Sequence, residues 1–410
     1  MHTKTEIFQD IVAIISKDYA GFLDKKHINC PNHYRITDEM DEEEFVQTVE
    51  NYLLDFNDGH LIFTKKNNTI PFKGFKVRRF QNALYVTEIQ GEQRLQIGDA
   101  ILALDGRSIE EIAKEQYKVL NDSIHERQSW NKALTFVNSI KIQRKSQIYE
   151  IDLKEYPKPA YCPEYSFKQL NSYTNYIKIT DFTQSEPIQK IVQDNFKELN
   201  EAPNLIIDVR LNIGGNDLFY FPLLDYLFDQ KIYFSTLFEP DEVSYINFTE
   251  NNCNLWITTL KNYLQQPLDD ETKKWIEMEI EKYQTYSGQG LLSLHQEIDY
   301  LINGREYPKN VYILSDVTCG SSGDTFVKNT KKSPKVTVVG RATMGIIDYY
   351  NVVTKDYGDY EFIYSTSKLN EKYHCNETGV IPHIHIPWTP EHLKNDVDLN
   401  YVLKLCKSTE

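Results

Sequence analysis

The stretch Thr318-Cys319-Gly320-Ser321-Ser322-Gly323-Asp324-Thr325-Phe326 stands between an apolar run, Val311-Tyr312-Ile313-Leu314, and a segment that reads as a helix from about Ser322 to Lys331. A buried strand that turns directly into a helix is half of an α/β repeat. The turn holds a hydroxyl at the C-terminal edge of a sheet, where the first helical N–H groups and the helix dipole favour negative charge. That placement suits a nucleophile and the oxyanion its attack creates. The plainer alternative is that Ser321 or Ser322 only caps the helix.

The same punctuation recurs upstream. The β-rich run Leu205-Ile206-Ile207-Asp208-Val209 ends in Arg210-Leu211-Asn212-Ile213-Gly214-Gly215-Asn216. Two glycines let backbone N–H groups point into a site with no Cβ in the way, and such groups can bind a developing oxyanion. An ordinary Gly-Gly turn is the alternative; a dinucleotide fingerprint has a different spacing. Tyr176 to Ile179 and Val336 to Gly340 read as further strands, and Pro187 to Leu199 as a helix. Residues 156–410 are therefore expected to form an α/β domain around a largely buried sheet, with a helical insertion or cap at about 220–305.

Ahead of it, residues 71–155 read as short strands and turns. Ala83 to Ile89 is a strand, and Ser108-Ile109-Glu110-Glu111 has capping-box spacing, which predicts a helix to about Val119. Ile140 to Arg144 and Ile148 to Leu153 form a closing hairpin in which Tyr149, Ile151 and Leu153 alternate with acidic residues. Residues 1–70 are mainly helical. Ile7, Ile11, Ile14 and Ile15 recur at helical spacing, as do Phe45, Val49, Tyr52 and Leu53 after the acidic stretch Asp38 to Glu44. The second helix stops near Asn57-Asp58-Gly59, and a strand runs from His60 to Thr64. His60 at that turn is a candidate general base, with a purely structural histidine as the alternative. Glu377, in Asn376-Glu377-Thr378-Gly379-Val380-Ile381-Pro382-His383, is a carboxylate that could orient a base, or part of a surface loop.

Composition narrows the function classes. The chain of 410 residues is 40% hydrophobic and 26% charged, enough for a large core and unlike a disordered chain. Its net charge of -15 leaves it poorly suited to nucleic acid or an anionic membrane. No apolar run approaches the ~18 residues of a membrane span. The start Met1 to Phe8 lacks a secretory pattern, so a cytoplasmic location is expected unless a leader has been removed. Six cysteines lie scattered without a Cys-x-x-Cys pair, which suggests reduced thiols and no zinc clip. No metal and no cofactor are expected.

Taken together and in order, these segments resemble the tail-specific (C-terminal processing) serine peptidases. That family carries a helical region, in some branches a D-x-H turn, a PDZ domain, D-x-R-x-N-x-G-G, a serine with an acid three residues on, G-x-x-T-x-G, and G-V-x-P-D. This chain has Asp58-Gly59-His60, a PDZ-like run from Ile97 to Gly106, Asp208 to Gly215, Ser321 with Asp324, Gly340 to Gly345, and Glu377 to His383. The resemblance implies a multidomain α/β protein: N-terminal helices, a PDZ-like domain, and a core of the crotonase and Clp-protease type. It also implies a serine endopeptidase or carboxy-terminal processing peptidase that acts on a peptide or protein, with a homo-oligomer as a further option. Ile346 stands where a Ser-Lys dyad has its lysine, so the chain looks like the tricorn branch. Ser321 is then the nucleophile, His60 the base and Glu377 the group that steadies it. The N–H groups of Gly214 or Gly215 and of Ser322 would hold the oxyanion. Gly59 stands where tricorn has a relay serine, and Asp324 and His383 replace the usual Glu and Asp. Two rivals remain: a catalytically inactive binding protein on the same fold, and a hydrolase with Cys319 as nucleophile.

Overall fold

The computed structural model describes residues 2–66, 72–120, 122, 124–265, 270–294, 299–376 and 378–407. The chain forms two compact units that interleave along the sequence. One consists of Met1–Asn68, Phe238–Ile298 and Ile346–Asn376; the other of Thr69–Leu237, Asp299–Gly345 and Glu377–Glu410.

In the first unit, Thr3 and Glu6 form a capping box at the start of the helix Lys4–Lys17, which buries Ile7, Phe8, Ile11, Ile14 and Ile15. Asp41 caps the helix Glu42–Leu54 by accepting the Glu44 N–H at 2.8 Å, and three glutamates fill its first turn. Both apolar faces join a core with Phe63, Phe362 and Tyr364. The sheet beneath them is built on Tyr360–Leu369. Ile62–Lys65 and Ser244–Phe248 pair antiparallel with different halves of that strand, and Tyr349–Asp356 pairs along nearly its whole length. The segment read as an insertion is split. Its helices Glu250–Tyr263 and Asp270–Thr285 share a core with Phe248 and build onto this first unit, whereas residues 220–237 stay with the second. The Trp256 indole N–H donates to Thr366 Oγ1 at 2.9 Å and its ring stacks on Tyr283.

Among the described residues, the second unit holds two large sheets and a two-stranded pair, Ile232–Tyr233 with Leu301–Ile302. The first is antiparallel, in the order Phe75–Phe80, Ala83–Ile89, Ala100–Leu104, Ser139–Arg144, Gln147–Asp152. It closes over a core centred on the buried Trp130. Ser108 and Glu111 make the expected capping box, but the helix Ile109–Glu115 breaks at Gln116 before a further turn, Tyr117–Leu120. In Gln147–Asp152 only Ile151 is buried and Tyr149 is exposed, because this strand forms the sheet's edge.

The other sheet runs Ile384–His385, Val336–Gly340, Asn310–Ser315, Asn204–Asp208, Thr174–Ile179, Tyr165–Asn171. The first five strands are parallel, and the last pairs antiparallel. All of Asn204–Asp208 is buried, as its apolar centre Leu205-Ile206-Ile207 requires of a central parallel strand. The helix read from Pro187 to Leu199 is two, Ser185–Asp194 and Phe196–Glu201. They part at Asn195, whose side chain donates to the Ile191 carbonyl at 2.8 Å and competes with the helical ladder. The closing helix Val397–Lys407 packs Val402 and Cys406 against Tyr312, Leu314 and Val339. Among the described residues, no helix is long and apolar enough to cross a membrane.

Candidate active site

Asn204–Asp208 and Asn310–Ser315 are adjacent parallel strands, with Asp208 opposite Leu314. Their C-terminal ends therefore release two neighbouring loops, the usual place for a site in an open parallel sheet. Each polar residue in the first loop has a mechanical task. Asp208 pairs with Arg210 Nε and Nη2 at 3.0 and 2.6 Å and accepts the Tyr176 hydroxyl at 2.8 Å. Arg210 reaches on to Asp396 with two bonds of 2.7 Å. Asn212 is fully buried; its Nδ2 donates to the Ile179 carbonyl, and its backbone carbonyl accepts the N–H of Gly320 at 2.9 Å. The two loops are thereby fastened together. Leu211 and Ile213 on either side of Asn212 point outward, 55% and 54% exposed.

The two glycines do different things. The N–H of Gly214 donates to Asn212 Oδ1 at 2.9 Å and is thus occupied. Gly214 has φ +93°, and a Cβ there would lie 2.6 Å from Ser321 Cβ. Gly215 has φ +143° and forms a parallel bridge with Phe182. Among the described residues no acceptor takes the N–H of Gly215.

Ser321 sits at the N-cap of the helix Ser322–Thr330 with φ 55° and ψ -123°, and its side chain makes no capping bond. A non-glycine residue in that region costs on the order of 1–3 kcal/mol and is held there by its surroundings. Among the described residues its Oγ has no hydrogen-bond partner. The neighbouring Ser322 hydroxyl, in contrast, donates to the Gly215 carbonyl at 2.8 Å. Three residues into the helix, Asp324 accepts the N–H of Gly345 at 2.7 Å. Arg127, from the antiparallel-sheet segment, donates to the carbonyls of Thr343 and Met344 at 2.7 and 2.9 Å.

Cys319 is fully buried; burial and the nearby carboxylates of Asp324, Asp316 and Asp208 push its thiol well above the usual range. Such a thiol is protonated and poorly nucleophilic. Asp217 was not singled out from the sequence. Burial pushes its carboxyl up to about 6. Only the structure shows that burial, because nothing about an Asp after Gly-Gly-Asn marks it.

The first unit holds His60, in the turn before Ile62–Lys65 with its side chain 14% exposed. Its Nδ1 lies 2.8 Å from the carbonyl oxygen of Tyr349, and its backbone N–H donates to Asp58 Oδ1 at 2.9 Å. Gly59 faces Ile346: a Cβ there would stand 2.9 Å from Ile346 Cγ2. Glu377 lies outside the described residues.

The profile of peptidase family S41 matches residues 174–386, a span that includes Gly214, Gly215, Ser321 and Ser322 and leaves His60 outside. A search of curated proteins returns no match. Among solved structures, mature CPAF complexed with lactacystin is similar at TM-score 0.68 and 14% identity, over 99% of this chain and 98% of that one. A CPAF point mutant gives TM-score 0.70 at 13% identity, over 99% and 96%. A candidate peptidase from Parabacteroides merdae gives 0.52 at 13% identity, over 99% and 97%. At such identities the structural likeness speaks for the fold alone, whereas the family profile spans more than half of the chain. The chain belongs to peptidase family S41 and is a serine peptidase.

Proposed function

We propose that this peptidase hydrolyses peptide bonds through an acyl-enzyme on Ser321, as an endopeptidase or a carboxy-terminal processing peptidase. The observation that carries this reading is the contrast between two adjacent serines: Ser321 is strained with an uncommitted hydroxyl, while the Ser322 hydroxyl is spent on Gly215. In the proposed reaction Ser321 Oγ attacks the scissile carbonyl carbon. His60 takes the Oγ proton and passes it to the departing amine; water then cleaves the ester by the reverse sequence. The N–H groups of Gly215 and Ser322 are the proposed oxyanion donors. Gly214, whose own N–H is engaged, serves by leaving room for Ser321. His60 is supported as base by its Nδ1 contact with a carbonyl, which leaves Nε2 free to accept a proton. Glu377 is proposed as the group that steadies it, on the resemblance of the sequence alone.

The buried, high-pKa thiol of Cys319 weighs against the cysteine rival. The three-part organisation, with a PDZ-like domain at 71–155 and a crotonase-type core, belongs to the same reading, as do a cytoplasmic location and self-association. The outward Leu211 and Ile213 favour substrates with an apolar residue at the scissile carbonyl. Higher kcat/KM for a Leu than for an Asp peptide at that position would support this; equality would remove it.

A fluorophosphonate probe tests the main reading against an inactive binding protein. Labelling that is lost in Ser321→Ala and kept in Ser322→Ala is expected, with hydrolysis following the same pattern. Labelling that survives Ser321→Ala would overturn the assignment.

A further inference from the structure

The base in the proposed mechanism has a carboxylate in its own turn. Asp58 stands two residues before His60, its side chain 2% exposed. Its Oδ1 accepts the His60 backbone N–H at 2.9 Å and lies 3.9 Å from His60 Nδ1. Its Oδ2 accepts the hydroxyl of Tyr19, itself fully buried, at 2.9 Å. The Nδ1 atom is also 2.8 Å from the Tyr349 carbonyl. A carbonyl oxygen only accepts, so Nδ1 carries the hydrogen and Nε2 is the bare nitrogen.

The Tyr349 carbonyl can fix the ring and its tautomer, but it has no net charge to offset an imidazolium. Asp58 has that charge, and it is buried where a charge at this range acts far more strongly than in water. Burial pushes the Asp58 carboxyl up; His60, its N–H and the Tyr19 hydroxyl pull it back, with a smaller pull from Lys25. The other groups facing this corner engage Tyr349: the Lys25 ammonium lies over its ring, and Asp24 accepts its hydroxyl at 3.1 Å and the Lys368 ammonium. Asp348 and His374 form a separate pair at 3.8 Å.

We infer that Asp58 is a carboxylate that stabilises the His60 imidazolium during acyl transfer, with the Tyr349 carbonyl orienting the ring and Tyr19 holding Asp58. The inference rests on His60 being the general base. The proton moves from Ser321 Oγ to His60 Nε2 and on to the leaving amine, and Asp58 stays ionised throughout. Asp58 is thus a positioning residue.

A carboxylate that merely closed the turn could be replaced by a carboxamide, whose oxygen accepts the same N–H. Asp58→Asn therefore separates the two roles in the full-length enzyme. The expected result is a fall in kcat of about 10²–10⁴-fold, as for the carboxylate of other serine triads, with little change in KM or thermal midpoint. The acid limb of the kcat/KM profile moves to lower pH, because a charge that favoured the protonated ring is gone. Wild-type kcat and an unmoved limb in Asp58→Asn, with His60→Ala inactive, would overturn this inference and leave the base standing. Normal turnover in His60→Ala would instead remove the base itself. Should Asp58→Asn not fold, Tyr19→Phe takes one hydrogen bond from the carboxylate and keeps its charge. That variant is expected to move the acid limb to higher pH, and an unmoved limb there overturns the inference equally.

Discussion

The Asp324 carboxylate accepts the N–H of Gly345 at 2.7 Å, which ties the helix that begins beside Ser321 to the end of the Gly340–Gly345 loop. Met344 N–H, one residue earlier, donates to the Cys319 carbonyl at 2.7 Å. The acid three residues after the serine thus holds a loop. Asp324→Ala leaves a buried N–H without its acceptor, which costs about 1–3 kcal/mol. Urea denaturation should show that loss together with a lower kcat. Asp324→Asn keeps an acceptor oxygen and should retain most of both.

Gly214 makes a sharper demand. Its φ of +93° is costly for any side chain, and a methyl group there would stand 2.6 Å from Ser321 Cβ and 3.0 Å from the Gly320 carbonyl. Gly214→Ala should displace the serine by several tenths of an ångström. A shift of this kind can cost on the order of 10²-fold in rate. Steady-state assays should find that loss in kcat, with the fold retained by circular dichroism; unchanged kcat would show that the serine has room to move.

How far the sequence could lead is visible in these same residues. The strand ends and the Ser108 and acidic-turn caps were legible because local chemistry decides them. So was the largely buried sheet, since apolar runs followed by glycine turns and alternating with helices admit few other folds. The loop motif gave the residue types but not which N–H was free: Gly214 and Gly215 look alike until Asn212 Oδ1 is seen to take one of them. The first unit was hardest to read, because it is assembled from segments far apart. Ile62 pairs with Ile363, and the partner of His60 Nδ1 is a backbone carbonyl at Tyr349, which no residue type announces. The split of the presumed insertion has the same cause, since its strand Ser244–Phe248 is recruited by Tyr360–Leu369.

Asp398 ties the closing helix to the core. It is fully buried, accepts Arg341 Nη1 and Nη2 at 2.8 and 2.7 Å, and faces Arg210 and His392. Burial would raise its carboxyl, but His392, Arg341 and Arg210 hold it well below the usual carboxylate range. A depressed folded-state pKa means stability that is present above the unfolded value of about 4 and is lost as pH falls below it. Asp398→Asn leaves Arg341 buried with less charge to match and should cost about 3–5 kcal/mol at pH 7. Thermal scans should show the gap to wild type shrinking as pH falls below about 4, where the unfolded wild-type carboxyl takes up a proton that the folded one still refuses. A gap independent of pH would mean that packing, and not charge, is what Asp398 supplies.

Gly59 and Ile346 occupy the two positions where the sequence departs most from the catalytic patterns it resembles, and they touch. A Cβ on Gly59 would stand 2.9 Å from Ile346 Cγ2 and 3.6 Å from its Cβ. The isoleucine thus fills the space that a side chain at 59 would need. The near atom is a methyl on a branched side chain with stiff χ1, so it can yield only by shifting the chain around it. Gly59→Ser alone should destabilise by about 1–3 kcal/mol through overpacking, and it should disturb His60, the next residue. Ile346→Ala alone leaves a gap beside Gly59 and should also destabilise. Together the two changes refill the space, so the double variant should be more stable than the sum of the single losses predicts, by about 0.5–3 kcal/mol. Denaturant midpoints of the four proteins in the cycle measure this directly. Strict additivity would mean that the two residues do not compete for the same volume, and that Gly59 is small for another reason.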